Sequence, residues 1–197
     1  MVWFQNWRDV RYLTQGTLRQ QQALAALSNT RVLDVLVDFD PILAGTIPLD
    51  VDIDGSDLDI ICCVPDAMRF ATCVVEAFSG LEGFSLRRGN IHGDYTTLAG
   101  FRADGFEFEI FGQNVPVDHQ AAVVHLDVEA RLLALSGEAS RAKIRELKRS
   151  GMKTEPAFAA WLQLEGDPWD VLYSLGSAND ATLRKLLEKV TKDRVND

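Results

Sequence analysis

Residues 43–60 read LAGTIPLDVDIDGSDLDI. An apolar run between Pro41 and Pro48 contains Gly45-Thr46, an aspartate-rich loop follows, and residues 58–64 form a second apolar run, LDIICCV. Short apolar runs rich in Ile, Leu and Cys and bounded by turn residues are typical of buried strands. We therefore predict two short strands, at 42–47 and 58–64, with an acidic loop between them.

The acidic loop accounts for the net charge of the chain. Residues 32–68 contain nine Asp and neither Lys nor Arg, whereas the other acidic residues equal the basic ones in number. The formal net charge of −9 therefore arises in this one segment. Because binding to nucleic acid depends largely on neutralising phosphates, we expect that nucleic acid is not the partner of this chain.

Length and composition indicate an ordinary globular protein. The 197 residues are 47% hydrophobic and 25% charged, which excludes disordered, collagen-like and coiled-coil classes. Three cysteines without a CxxC motif favour a reducing, cytoplasmic location. Neither a signal peptide nor an apolar run of membrane-spanning length is found, so we expect no membrane partner. The oligomeric state is left open.

Patterns outside the acidic loop predict an α/β fold with a helical C-terminal half. We expect a single compact unit over 1–197, made of an α/β half at 1–116 and a helical half at 117–197. In the first half, Asp66 predicts the N-cap of a helix at 67–78, and Asp104-Gly105 predicts a hairpin turn. The other predicted elements are helices at 18–27 and 31–36, strands at 84–91, 96–102 and 106–111, and helices at about 118–136, 140–150, 155–165, 168–175 and 179–192.

One interpretation of the acidic loop is a calcium site. Asp50, Asp52, Asp54 and Gly55 match the first half of the EF-hand loop pattern. The twelfth position is Ile61 where the pattern requires a bidentate Glu, and the sequence after it is strand-like where an exit helix is required. This interpretation is therefore the weaker one.

The stronger interpretation places a metal site at the start of the second strand. Asp57 and Asp59 are two residues apart, so in an extended chain they point to the same face while Leu58 faces the core. A carboxylate pair beside a phosphate suits Mg²⁺ or Mn²⁺. The turn at Gly45-Thr46 supplies backbone N–H groups and a hydroxyl that can approach a phosphate.

A later strand offers a third carboxylate. Residues 106–111 read FEFEIF, and this strict alternation places Glu107 and Glu109 on one face. If that face adjoins Asp57 and Asp59, one of the two glutamates becomes a further metal ligand or the base that activates an acceptor hydroxyl. The alternation alone leaves the choice between them open.

These motifs resemble the core of the nucleotidyltransferase superfamily, in which a Gly-Ser or Gly-Gly turn precedes an acid–hydrophobic–acid strand. The resemblance implies a mixed β-sheet flanked by helices and transfer of a nucleotidyl group from a nucleotide triphosphate to a hydroxyl. It also implies two Mg²⁺ ions held by Asp57, Asp59 and a third carboxylate, for which Glu109 is the first choice and Glu107 the second. The acidic composition points to a small-molecule or protein acceptor.

The chain is also similar to a narrower bacterial family, domain-of-unknown-function family 4269, through the strings GTIP at 45–48, SDLDI at 56–60, EIFGQ at 109–113 and KTEPAFA at 153–159. That resemblance implies no reaction.

The turn departs from the superfamily pattern at Thr46, and no basic residue follows it. The positive charge for a triphosphate then has to come from the basic tract at 141–153, with Lys148 and Lys153 as the leading candidates and Arg87 and Arg88 in reserve. The departure also supports an alternative, a non-catalytic regulator that binds a nucleotide or a partner protein on the same fold.

Overall fold

The structure is a computed structural model that describes residues 6–91 and 94–195. The chain divides into two compact units. The first contains Asn6–Asp50 and Asp54–Val123, and the second contains Val51–Ile53 and the residues from Val124 onward. We describe each unit by itself.

The first unit is built on a five-stranded mixed sheet in the order β1-β2-β5-β4-β3. β2 and β5 are parallel neighbours, and the other three neighbouring pairs are antiparallel. The strands are β1 (Ile42–Ala44), β2 (Leu58–Cys63), β3 (Glu82–Ile91), β4 (Asp94–Ala103) and β5 (Phe106–Gln113). This order places β2 between β1 and β5, so both neighbours of β2 can supply groups to a site on its surface.

Helices cover one face of this sheet. α1 (Leu18–Thr30) begins at a capping box formed by Thr17 and Gln20, and α3 (Ala67–Phe78) begins at Asp66, whose carboxylate accepts two backbone N–H groups. A short α2 (Val32–Val35) and 3₁₀ turns at Val10–Gln15, Val37–Phe39 and Val117–His119 complete the unit. The buried core includes aromatic and aliphatic side chains from the helices and from alternate strand positions: Leu27, Leu58, Ile60, Phe70, Phe78, Phe101, Phe108 and Ile110.

The strand predicted at 42–47 is shorter than expected. β1 ends at Ala44 because Gly45 has a φ of +76°, which turns the chain out of the sheet. The hairpin predicted at Asp104-Gly105 is confirmed: both residues have positive φ, as a two-residue type I′ turn requires, and they join β4 to β5.

The second unit is helical. Its elements are α4 (Ala121–Ser136, of which the residues from Val124 onward belong here), α5 (Glu138–Arg149), α6 (Thr154–Leu162), α7 (Pro168–Ser174), a 3₁₀ turn at Leu175–Ser177 and α8 (Asp180–Val195). Arg131 on α4 binds Asp180 at the start of α8 with a separation of 2.9 Å. Among the described residues, none of the helices combines the length and the hydropathy that crossing a bilayer requires. The predicted fold class, a helix-flanked mixed sheet followed by a helical C-terminal half, is confirmed.

The packing of α3 on the sheet leaves too little space for a side chain at Gly112. A Cβ added there would lie 2.6 Å from Val64 and 2.9 Å from the Phe70 ring. We expect Gly112→Ala to lower the free energy of unfolding by about 1–3 kcal/mol, because the overpacked core has to shift. Urea denaturation followed by circular dichroism measures the change.

Gly89→Ala is the matched control, since Gly89 lies in the same sheet and a Cβ there meets no atom within 4 Å. Equal stability of the two variants would show that α3 is not packed this closely on β5.

Candidate functional site

Three of the predicted carboxylates come together on the sheet face opposite the core. Asp59 lies on β2 and pairs in register with Glu109 on β5. Asp57 precedes β2 by one residue and shares the face of Asp59, because side chains two positions apart in an extended chain point the same way. Parallel pairing of β2 with β5 therefore brings together residues fifty positions apart in sequence.

The three carboxylates are close enough to share a cation. One oxygen of each of Asp57, Asp59 and Glu109 lies within 4.8 Å of the others, and all three side chains are half-buried. Like charges at this spacing repel one another, and a divalent cation between them relieves the repulsion. Carboxylate oxygens in a site open to further ligands are the donor set that Mg²⁺ and Mn²⁺ prefer. The chemistry of the donors therefore fits the predicted metal.

Glu107, the second choice for the third carboxylate, has different surroundings. It is exposed, and a carboxylate oxygen lies 3.7 Å from a guanidinium nitrogen of Arg102, its cross-strand neighbour on β4. The cluster of three potential metal-binding groups in the described residues contains Glu109 and not Glu107. The metal-binding and catalytic roles of these residues stay predictions.

Gly45 is positioned directly against Asp59. Ala44 pairs with Asp59 across β1 and β2, and a Cβ added to Gly45 would lie 2.2 Å from Asp59 Oδ2. Any side chain here would displace that carboxylate. The space that the missing Cβ leaves is thus filled by a predicted metal ligand, a reason for glycine that the sequence did not reveal.

Thr46 is buried, with 8% of its surface exposed. Its hydroxyl donates to Ser56 Oγ at 3.4 Å, which ties the turn after β1 to the residue that precedes Asp57. The hydroxyl that the sequence analysis offered to a phosphate is therefore engaged within the protein.

Gln20 on α1 supports the same turn and was missed by the sequence analysis. Its side-chain amide donates to the carbonyl of Ile47 at 2.8 Å, while its Oε1 accepts from the N–H of Thr17 in the capping box. The T-x-x-Q pattern at 17–20 predicts a helix start. Nothing local in the sequence predicts the contact with Ile47, 27 residues away.

The calcium interpretation finds no support in the geometry. Asp50, Asp52 and Asp54 are not part of the acidic cluster found in the described residues, and β2 follows them where an EF-hand has its exit helix.

A sequence profile, that of "Domain of unknown function (DUF4269)", matches residues 25–175 of the chain. The chain belongs to the DUF4269 family. Residues matched include the Gly45-Thr46 turn and all three clustered carboxylates. The comparison with curated proteins gives no match.

Solved structures show what the fold of this DUF4269 protein is similar to. The Cid1 poly(U) polymerase with MgGTP bound superposes with a TM-score of 0.51 at 12% identity, over 83% of this chain and 53% of that one. The GLD-2/RNP-8 complex gives a TM-score of 0.47 at 13% identity, over 90% of this chain and 75% of that one. The likeness to Cid1 confirms the predicted nucleotidyltransferase-like fold, and the DUF4269 chain spans about half the length of Cid1.

The predicted phosphate-binding lysines belong to the second unit. Lys153 is exposed and precedes α6, but Lys148 on α5 is buried, with 8% of its surface exposed. Other basic side chains of the tract contact acids of their own helix, as Lys143 does Glu146 at 2.9 Å. A basic tract is typical of a solvent-facing helix surface, yet one of its lysines is buried.

A buried acid lies near Lys148. Glu129 on α4 is 4% exposed, and its Oε1 is without a hydrogen-bond partner among the described residues. Burial raises the pKa of Glu129 well above its usual value, the negative charge of Glu155 adds to the rise, and Lys148 opposes it. Burial likewise acts to raise the pKa of Glu155, but the contact with His125 and the charge of Lys153 leave that pKa below its usual value.

The contact between Gly45 and Asp59 predicts a specific effect on metal binding. We expect Gly45→Ala to weaken Mn²⁺ binding at least tenfold, because the added methyl group displaces the Asp59 carboxylate. Titration of Mn²⁺ followed by electron paramagnetic resonance measures this affinity.

Gly55→Ala is the control for Gly45→Ala. Gly55 also has a positive φ, +85°, but a Cβ there meets no atom within 4 Å. Both variants place alanine at a positive φ, and only Gly45→Ala brings a Cβ against the carboxylate. Equal Mn²⁺ affinity in the two would contradict the role assigned to Gly45.

The raised pKa of Glu129 predicts how stability depends on pH. The folded pKa lies above the unfolded value of about 4.3, so the stability that protonated Glu129 contributes is complete below that value and is lost as the pH rises through the folded pKa. We expect Glu129→Gln to remove this loss. At pH values above the folded pKa of Glu129, the free energy of unfolding of Glu129→Gln should then exceed that of the parent by about 1–2 kcal/mol. Urea denaturation across a pH series measures the difference, with the exposed Glu165→Gln as control. Parallel curves for the parent and Glu129→Gln would contradict the assignment.

Proposed function

We propose that this DUF4269 protein transfers a nucleotidyl group from a nucleotide triphosphate to a hydroxyl of a small molecule or protein, with Mg²⁺ or Mn²⁺ as cofactor. The observation that supports the proposal is the convergence of Asp57, Asp59 and Glu109 within 4.8 Å, beside a glycine turn on a sheet with the Cid1-like fold. Cid1 is a poly(U) polymerase whose structure contains MgGTP.

Asp57, Asp59 and Glu109 would hold the metal ions. When bound, such ions neutralise phosphate charge and orient the reacting oxygens. The fit rests on the three convergent carboxylates and on the space at Gly45 that accommodates Asp59. Rigid strands carry Asp59 and Glu109, so the positions of the ligands are set by the sheet rather than by a mobile loop.

The reaction is a substitution at the α-phosphorus. The acceptor oxygen forms a bond to that phosphorus, the bond to the bridging oxygen breaks, and pyrophosphate leaves with the electron pair. The hydroxyl proton passes to a carboxylate of the cluster, for which we propose Glu109, and then to water. Catalysis of this kind rests mainly on positioning and charge neutralisation, and therefore needs few residues.

The phosphates of the nucleotide would contact the turn after β1. Backbone N–H groups of Gly45-Thr46 are the proposed donors, since the Thr46 hydroxyl already binds Ser56. Lys148 and Lys153 stay the proposed sources of positive charge, with Lys153 the better exposed of the two.

A second candidate is a non-catalytic regulator that binds a nucleotide or a partner protein on the same fold. The engaged hydroxyl of Thr46 and the lack of a basic residue beside it favour this candidate, because both reduce what the turn offers to a triphosphate. Retention of three clustered carboxylates favours the enzyme.

Thermal unfolding in the presence of nucleotides tests the proposal. Each of the four NTPs is added with and without Mg²⁺ to the parent and to Asp57→Asn/Asp59→Asn. At about 100 times the dissociation constant, a bound nucleotide adds roughly 2.7 kcal/mol, which raises the melting temperature by about 5–10 °C at this chain length. We expect a Mg²⁺-dependent rise in the parent that is lost in the double variant.

Asp52→Asn/Asp54→Asn is the control, because it removes the same charge from the same segment outside the cluster. Transfer from NTP labelled at the α-phosphate, but not at the γ-phosphate, then separates nucleotidyl transfer from phosphoryl transfer. Nucleotide binding without transfer to small-molecule, protein or RNA acceptors would favour the regulator. Absence of any nucleotide-dependent shift would contradict both candidates as nucleotide-binding proteins.

A further inference from the structure

The surface beside Glu109 continues across β4 and β3 on the face that carries the carboxylates. Glu109 pairs with Gly100, which pairs with Ser85, so these three positions form one row. Phe111, Leu98 and Arg87 form the next row in the same way. Cross-strand partners share a face, so both rows lie on the side of the sheet that carries Asp59. We call Ser85, Arg87, Leu98, Gly100 and Phe111 the β3–β4 shelf.

The shelf is accessible, and the polarity and charge of its side chains change with distance from Glu109. Gly100 has no side chain, and a Cβ there would lie 3.4 Å from Ser85 Oγ, so the hydroxyl lies next to the Gly100 backbone. Phe111 and Leu98 are half-buried, whereas Ser85 and Arg87 are exposed. With increasing distance from Glu109, the surface thus changes from a carboxylate, through a partly apolar area at Gly100, Leu98 and Phe111, to the cation of Arg87.

Arg87 differs from the other arginines near it. Arg88, the other arginine that the sequence left in reserve for the triphosphate, lies on the face opposite the carboxylates and contacts Met68 of α3. Arg102 lies near Glu82 and Glu107. Within residues 6–91 and 94–195, Arg87 has neither an ion pair nor a hydrogen bond from its side chain. A guanidinium without such a contact in the part of the chain that the structure describes is available to an external anion.

The geometry of the proposed reaction indicates that the acceptor lies on the same side of the carboxylates as the shelf. Ala44 pairs with Asp59 from the β1 side, so the Gly45-Thr46 turn proposed for the phosphates lies on that side of the carboxylates. The attacking and leaving oxygens of the substitution lie roughly in line on opposite sides of the phosphorus. With the leaving pyrophosphate toward β1, the acceptor hydroxyl approaches from the side of β5, β4 and β3.

We propose that the acceptor is a small hydroxyl compound that carries a phosphate, that it lies on the β3–β4 shelf, and that Arg87 binds its phosphate. This inference rests on the proposed nucleotidyl transfer. Arg87 is two strands and two residues from Glu109, so their Cα atoms are about 12 Å apart. A sugar phosphate or nucleoside monophosphate can bridge the gap once the arginine side chain extends toward it. One arginine matches one phosphate monoester, and the acidic chain does not favour a long polyanion.

Binding and transfer with matched probes test this proposal. The probes are ribose 5-phosphate and ribose, adenosine 5′-monophosphate and adenosine, and an RNA dodecamer. The proteins are the parent, Arg87→Gln and Arg88→Gln, where Arg88 is the adjacent arginine on the opposite face. Probe binding is measured by nuclear magnetic resonance titration, and transfer is measured with α-labelled NTP.

We expect the parent to bind at least one phosphorylated probe more tightly than its unphosphorylated partner. Arg87→Gln should weaken that binding at least tenfold and raise the KM of the probe more than it lowers kcat. Arg88→Gln should change neither quantity. The Mg²⁺-dependent nucleotide shift should persist in Arg87→Gln, which separates the acceptor site from the nucleotide site.

Several results would overturn the proposal. Loss of the nucleotide shift in Arg87→Gln would assign the arginine to the triphosphate. Equal effects of Arg87→Gln and Arg88→Gln, or no preference of the parent for either phosphorylated probe, would remove the phosphate site. Arg87-dependent binding of the dodecamer alone would identify a polynucleotide acceptor. Absence of a nucleotide shift in the parent would instead be a failure of the proposed function.

Discussion

The parallel pairing of β2 with β5 is the constraint on which both the core and the candidate site depend. Its register places Asp59 beside Glu109 on one face and Ile60 beside Ile110 on the other. A slip of one residue would bring Ile110 toward the carboxylates and Glu109 into the apolar core. Burial of the apolar face therefore also holds the like charges of the other face close together. The sheet tolerates their repulsion because the apolar side chains that alternate with the acids stabilise the pairing of β2 with β5.

Local patterns in the sequence predicted much of the first unit. Asp66 caps α3, and Asp104-Gly105 forms the hairpin, because each signal acts through backbone groups within a few residues. Alternation in 106–111 likewise restricted the third carboxylate to two positions. The distinction between Glu107 and Glu109 depends on which residue of β5 faces Asp59, and that register is a long-range property that no local pattern carries.

Two other features could not be predicted from the sequence, for the same reason. A glycine at position 45 is consistent with any tight turn, and only the pairing of Ala44 with Asp59 shows that a carboxylate occupies the space of its missing side chain. Lys148 belongs to a basic tract typical of a solvated helix face, yet it is buried near Glu129 on another helix. Charge can be read along the chain, whereas burial depends on which helices pack together.

Gln20 joins two parts of the first unit that are usually considered separately, the start of a helix and the backbone beside the carboxylates. Its carboxamide closes the capping box of α1 and also holds the carbonyl of Ile47. A Cβ on Gly16 would lie 1.9 Å from Gln20 Oε1, so Gly16 keeps this carboxamide in place. The position of the Gly45-Thr46 turn therefore depends on the first turn of α1. Fraying of that helix end would disturb the surroundings of the carboxylates that we predict to bind metal, without altering a single residue of their motif.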